Sequence, residues 1–314
     1  MTGRTGRRGR TSALASLLVG AMLLALPRFA TGYAFLLTPG GGGRAWHWDF
    51  SSLPSGEIPW QLSDSANPQI VGTRSVEQVL LGAFARWQDL DDSSWRFAYQ
   101  GLTQRRDRND DDGVHLVTAG SGENLGAGVL AATFLSGLPD GTLTDVDVVF
   151  GRDVPFSTDD AVPSFRFDLE SVAVHEIGHL LGLEHSGLIR ATMAPFTDQG
   201  DTHQRDPASD DRIGAALLAP EPGFLDRTGR LEGRVSLDGA GVFLAHVVAT
   251  RIEGDVAAAT ITDPDGRYRI EGLDPGTYLI HAERLDGPVA AGNVDSQRRG
   301  YGRSETEGYG TTFH

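Results

Sequence analysis

Four side chains within one short stretch have the types and spacing to do chemistry. They lie in His175-Glu176-Ile177-Gly178-His179-Leu180-Leu181-Gly182-Leu183-Glu184-His185. Two histidines four residues apart share one face of a helix, so His175 and His179 can aim ring nitrogens at the same ion. Glu176 sits one step round the helix, beside that ion and not on it, where a carboxylate can take a proton from water. A helix continued as far as His185 would turn that ring away. Gly182 offers the escape, because glycine reaches left-handed backbone angles at little cost and lets the chain bring His185 back. Three neutral imidazoles with an open fourth position are the arrangement of a catalytic zinc. A helix that merely buried histidines in a core would have no reason to fix the glutamate and the glycine as well.

The long form, H-E-x-x-H-x-x-G-x-x-H, is followed by Ala191-Thr192-Met193-Ala194-Pro195. Together they resemble a metzincin with its Met-turn, and Ser186 directly after the third histidine resembles the matrixin branch. Other stretches are similar to the same family. These are His47 to Leu62 with the Ile58-Pro59-Trp60 strand, Val76 to Trp87, Asp145 to Phe150, and Ser209-Asp210-Asp211-Arg212-Ile213-Gly214. The resemblance implies an α+β metzincin catalytic domain, a twisted and mostly parallel sheet over an active-site helix. It implies a zinc endopeptidase with metal ligands His175, His179 and His185 and with Glu176 as general base. Met193 would floor the site. The substrate would be an extended polypeptide lying along an edge strand near Val129 to Phe134.

Three departures limit what carries over. The chain contains no cysteine, which excludes a disulfide framework, a thiolate zinc site and cysteine-switch latency. The region matching the animal family's structural zinc offers His115 without partner histidines, so a second zinc is not expected. Pro195-Phe196-Thr197 replaces the usual Pro-x-Tyr wall, so pocket preference does not transfer. Asp107 to Gly113 is read as a solvated acidic loop, with calcium as its alternative occupant. Asp145 and Asp147 are weaker calcium candidates.

These residues need elements to place them. Hydrophobic spacing predicts a strand at Ile58–Leu62 and a helix over 75–90, then strands at 95–99, 114–118, 129–135 and 146–150. The active-site helix is predicted over 168–181. A closing helix follows over 208–218, with Ser209, Asp210 or Asp211 as N-cap. The catalytic domain is thus expected over 46–220.

From residue 228 to 286 short β-type runs alternate with strong turns, at Asp263-Pro264-Asp265-Gly266 and Leu273-Asp274-Pro275-Gly276. This part resembles a carboxypeptidase regulatory-like, transthyretin-type β-sandwich. It is expected to fold separately behind a linker at Ala219–Gly223 and to be dispensable for cleaving short peptides. Residues 287–314 are expected to be disordered.

Residues 1–34 have the form of an export signal: Arg4, Arg7, Arg8 and Arg10, then an apolar run from Ala13 to Leu26, then small residues near Ala30 and Ala34. A glycine-rich linker over 35–45 follows. The product would be secreted or periplasmic and monomeric, touching membrane only through the signal. The chain of 314 residues carries a formal charge of −15, which argues against nucleic acid or anionic membranes as partners. The alternative function class is an extracellular adhesion protein in which the β-sandwich carries the main role.

Overall fold

A five-stranded sheet forms where the hydrophobic runs fall. The computed structural model describes residues 33–39, 43–285, 288–294 and 296–297, and the backbone of 312–313. The apolar run 13–26 lies outside the described residues. No helix among those described is long and apolar enough to cross a membrane.

The sheet is built from β1 (Ile58–Ser63), β2 (Phe97–Thr103), β3 (Leu116–Thr118), β4 (Ala131–Gly137) and β5 (Leu143–Phe150), in the order β2-β1-β3-β5-β4. The three pairings among β2, β1, β3 and β5 are parallel, and β4 runs antiparallel to β5 at the edge. Helix α1 (Val76–Gln88) starts at a capping box, Ser75 with Gln78. Its inward stripe of Val79, Leu80, Ala83, Phe84 and Trp87 is buried. Phe84 stacks on Trp60 of β1 with ring centroids 4.1 Å apart. A short parallel pair, β6 (Phe156–Ser157) and β7 (Phe167–Asp168), leads into α2 (Leu169–Leu181).

Helix α2 is nearly wholly buried, its polar residues included, and packs against α1, β4 and β5. Its N-cap Asp168 accepts from Ser171 N–H and from the Arg205 guanidinium at 2.7 and 2.8 Å. Trp87 and Trp48 donate their indole N–H groups to the carbonyls of Val174 and Leu180, each at 2.9 Å. These bonds fix the roll of the helix against α1 and the sheet.

Helix α3 (Ser209–Leu218) is capped by Ala208 without a side-chain bond. The acids expected as caps are instead in its first turn and buried: Asp210 is 6 % and Asp211 3 % exposed. They face inward because each has a partner there, described below.

After a single turn of helix, α4 (Phe224–Arg227), come β8 (Gly229–Arg234), β9 (Ser236–Leu237), β10 (Ala240–Gly241), β11 (His246–Arg251), β12 (Val256–Ile261), β13 (Arg267–Leu273) and β14 (Tyr278–Glu283). One sheet runs β12-β11-β14-β15, where β15 is Thr312–Phe313; β13 pairs with β8, and β9 with β10.

This β region is not a free attachment. Ala219 is buried, and the stretch expected as a linker is hydrogen-bonded: Ser94 N–H to Ala219 O at 2.8 Å and Glu221 N–H to Asp92 O at 3.1 Å. Helix α3 packs on β12 and β13, and one hydrophobic core runs from Trp60 and Ile177 through Ala215 to Val247, Ala257 and Ile270. Beside the expectation of a separately folding unit stands this shared core: Ser209 and Asp210 of α3 are hydrogen-bonded to Ala257 and Ala259 of β12, and Ile213 packs at Gly272.

Part of the C-terminal tail is ordered as well. Ala291–Val294 forms a 3-10 turn in which Val294 is fully buried. At the other end, the stretch expected as a linker begins as core. Phe35 and Leu37 are buried, and Phe35 bridges antiparallel to Leu183.

Candidate active site

Helix α2 carries His175, Glu176 and His179 and ends at Gly182, whose φ of 111° is left-handed. That residue turns the chain back under the helix. Here the Leu183 N–H reaches Gly178 O and the Gly182 N–H reaches His179 O, at 3.0 and 2.9 Å. The reversal brings His185 beside the other two rings. Ring centroids are 4.8 Å apart for His175–His179, 5.3 Å for His175–His185 and 4.8 Å for His179–His185. One ligand atom from each of the three lies within 4.8 Å of the others. Among the described residues no other three His, Asp or Glu side chains converge in this way.

The protonation of these rings follows from their second nitrogens. His175 Nδ1 is 2.8 Å from Thr192 O, His179 Nδ1 is 2.7 Å from Leu183 O, and His185 Nδ1 is 2.6 Å from Asn293 O. A carbonyl only accepts, so each Nδ1 carries the proton and each Nε2 presents a bare lone pair. His179 Nε2 and His185 Nε2 therefore face each other at 3.3 Å with no proton between them. Such a cluster of lone pairs needs a cation, and three neutral imidazoles fit zinc. Burial keeps His175 and His179 neutral: it pushes His175 down to about 3 and His179 well below its ordinary value, helped by the neighbouring rings.

Glu176 is buried and points into the same space. Its Oε2 accepts from Thr133 Oγ1 at 2.6 Å, and the same hydroxyl reaches Glu176 O at 3.0 Å. Burial raises its carboxyl to about 7, and the Thr133 bond opposes that shift. Thr133 also ties the edge strand β4 to α2. The cleft in front of them, about 530 Å3, is lined by Val129, Ala131 and Thr133 and by Pro195 and Phe196. Leu36 and Asn293 also line it.

Below the rings, Met193 is buried and Ser186 N–H donates to Met193 O at 2.8 Å. The two inward acids hold this loop. Asp211 accepts from Thr192 N–H at 2.6 Å and Met193 N–H at 3.3 Å, and Asp210 accepts from Ser186 Oγ at 2.7 Å. The other oxygen of Asp210 accepts from Ala259 N–H, on β12, at 2.7 Å. Burial pushes Asp210 up to about 6 and Asp211 up to about 7.

The other sequence candidates lie elsewhere. His115 is buried with its ring edge-on to Trp48, and its Nδ1 accepts from Val146 N–H at 3.2 Å. Asp145 accepts from the N–H groups of Asp112 and Gly113, and Asp147 from those of Asn109 and Leu116. The two therefore clamp the acidic loop through its backbone. Arg108 in that loop pairs with Glu123 and Asp110.

Sequence reasoning missed Thr133, Glu184 and Asn293, and took Asp210 and Asp211 for caps. The last two did leave a signal: adjacent acids on the inward stripe of an amphipathic helix ask for buried partners. Asn293 left none, because its contribution is a main-chain carbonyl.

Residues 48–218 match the model of the matrixin peptidase family, and residues 230–297 match that of the carboxypeptidase regulatory-like domain. Stromelysin-3 of Xenopus laevis is 28% identical over 199 residues, which is 61% of this chain and 36% of that protein. Metalloendoproteinase 2-MMP of Arabidopsis thaliana is 34% identical over 179 residues, 53% of this chain and 44% of that protein. Metalloendoproteinase 1 of Glycine max is 79% identical over 29 residues. The chain thus spans less than half the length of these relatives. Its matrixin match covers more than half of the chain itself and includes every ring, acid and turn just described except Asn293, and on that ground the protein belongs to the matrixin family, with a carboxypeptidase regulatory-like domain behind it.

Proposed function

We propose that this protein is an exported zinc-dependent endopeptidase that cuts extended polypeptides. The observation that carries this reading is the set of three Nε2 lone pairs facing one point, with the Glu176 carboxylate beside them at the floor of an open cleft. His175, His179 and His185 would hold the zinc. When bound, zinc supplies a Lewis acid for a carbonyl oxygen and makes water easier to deprotonate.

The rest is done by the chain. The free edge of β4 offers backbone N–H and C=O groups to which a substrate strand can add. Glu176 accepts the proton of the attacking water and passes it to the departing amine. A carboxylate whose affinity for protons is raised towards neutrality suits both halves of that task. Pro195 and Phe196 line the same cleft and would receive a substrate side chain.

Export rests on the N-terminal signal pattern. Tyr33 and Phe35 are both 5 % exposed, and the Ala34 carbonyl accepts from Glu184 N–H at 2.7 Å. The processing site would therefore fall ahead of Tyr33, near Ala30, and N-terminal sequencing of the exported protein reads it directly.

The test of the main reading is incubation of the purified protein with a diverse peptide library, with and without o-phenanthroline, alongside elemental analysis. About one zinc per chain and chelator-sensitive internal cleavage are expected. A zinc-free protein, or cleavage untouched by the chelator, would overturn it.

A further inference from the structure

The three rings share one device, a main-chain carbonyl on Nδ1, but its origin differs. For His175 the acceptor, Thr192 O, is 17 residues away, and for His179 it is Leu183 O, 4 residues away. For His185 it is Asn293 O, 108 residues further along the chain and beyond the last long strand of the β region.

That carbonyl is firmly placed. The turn holding it closes on itself, with Asn293 N–H to Ala290 O and Ala290 N–H to Asn293 Oδ1, each at 2.8 Å. Val294 plugs, fully buried, into a cluster with Phe243, Leu244 and Ile261. Two residues on, Ser296 Oγ donates to the Glu184 carboxylate, and Gln297 Nε2 donates to Phe35 O at 2.5 Å. Glu184 Oε1 in turn accepts from the His185 N–H at 3.0 Å. The segment is therefore pinned on both sides of the residue that touches the ring.

We propose that residues 291–294 and 296–297 complete the metal centre, with the Asn293 carbonyl acting as the positioning group that holds His185 in its metal-binding tautomer and orientation. The observation is specific to the third ring. The His185 side chain is 26 % exposed, whereas His175 and His179 are held within the catalytic domain. Without the carbonyl, water and the Glu184 carboxylate, whose Oε1 lies 3.6 Å from Nδ1, compete for the Nδ1–H and the ring is held less tightly. Loss of such an outer partner typically costs 10–100-fold in metal affinity. Because water can partly replace this one, about tenfold is expected. The consequence is that the C-terminal region acts on the reaction through the ligand.

The inference rests on the zinc reading, and the two fail in different ways. The experiment uses the full chain and the variant Val294→Asp, which undocks the segment while leaving every ligand in place. Zinc affinity is measured by chelator competition. In parallel, the ring N–H protons of the zinc-loaded protein are followed by NMR.

The wild-type protein should show three slowly exchanging ring N–H signals, one per ligand. The variant should lose the His185 signal alone and bind zinc about tenfold more weakly. A wild-type protein that binds no zinc sinks the functional reading itself. A folded variant with all three signals and unchanged affinity overturns the positioning role. Should Val294→Asp fail to fold, Asn293→Ala decides, since it removes the side-chain bond that closes the turn. Faster exchange at His185 than in the wild-type protein, with the other two rings unchanged, upholds the proposal, and wild-type exchange with unchanged affinity overturns it.

Discussion

Met193 lies directly against Gly178, in the middle of the active-site helix. A Cβ at position 178 would collide with Met193 Sδ and stand 3.1 Å from both Met193 Cε and Trp87 Cζ2. The helix thus rests on the turn below it through its backbone, at the level of the rings. Gly178 occupies a position that the H-E-x-x-H pattern leaves free, so the requirement is one of packing.

This contact yields a test with a change of sign. In an open helix, Gly→Ala gains about 1 kcal/mol. At Gly178, overpacking should cost roughly 1–3 kcal/mol, so Gly178→Ala should lower the urea midpoint. In a Met193→Ala background the same substitution should raise it. Unfolding curves of the four proteins give the answer, and a stabilising Gly178→Ala in the parent chain would refute the packing argument.

Thr133 couples the edge strand to the proposed base. Glu176→Ala should retain zinc while turnover falls about 10²–10⁴-fold, the usual worth of a general base. Thr133→Val removes a hydrogen bond that favours the charged carboxylate. Glu176 should then protonate more readily, and the acidic limb of the kcat/KM profile should move to higher pH. A limb that stays in place would show that Thr133 serves only the strand.

His115 makes a prediction about stability. Its buried ring must stay neutral for Nδ1 to accept from Val146 N–H, and burial lowers it from 6.5 to about 4. The unfolded chain therefore takes up a proton in that interval that the folded chain refuses. The contribution is intact above about pH 6.5 and is lost as pH falls towards 4, worth up to roughly 3 kcal/mol. Asp147 works in the opposite sense over part of this range, because its folded carboxyl is raised to about 6. The clean observable is thus the difference between the zinc-free parent and His115→Asn. The parent should lose more stability than the variant between pH 6.5 and 4. Parallel curves would contradict the assignment.

Cutting the chain before Arg227 should not release an autonomous catalytic domain. It would strip Asp210 of the Ala259 N–H, His185 of the Asn293 carbonyl and Ile213 of its cover at Gly272. A buried carboxylate left short of a partner costs about 1–3 kcal/mol, and more when charged. The truncated protein should melt lower, hold zinc poorly and aggregate through the bared face of α3. A soluble fragment with full zinc content and wild-type cleavage of short peptides would show that the shared core matters little.

What the sequence determined by itself was local. The i, i+4 pair put His175 and His179 on one helical face, and Gly182 allowed the reversal that follows. Alternating and 3.6-residue hydrophobic spacing placed β1, β5, α1 and α2 within a few residues. Each is a short-range consequence of backbone geometry, readable without knowing what lies across the core.

Only the tertiary structure decided the rest, because it depends on groups distant in sequence. It turned Asp210 and Asp211 from caps into buried anchors by surrounding them with Ser186, Thr192 and Ala259. It brought Thr133 from an edge strand to Glu176. It made the β region part of one core, with Ser209, Asp210 and Ile213 of α3 meeting Ala257, Ala259 and Gly272. It also delivered the last acceptor, Asn293 O, to His185. A main-chain carbonyl is the same in every residue, so no pattern of side chains could have announced it.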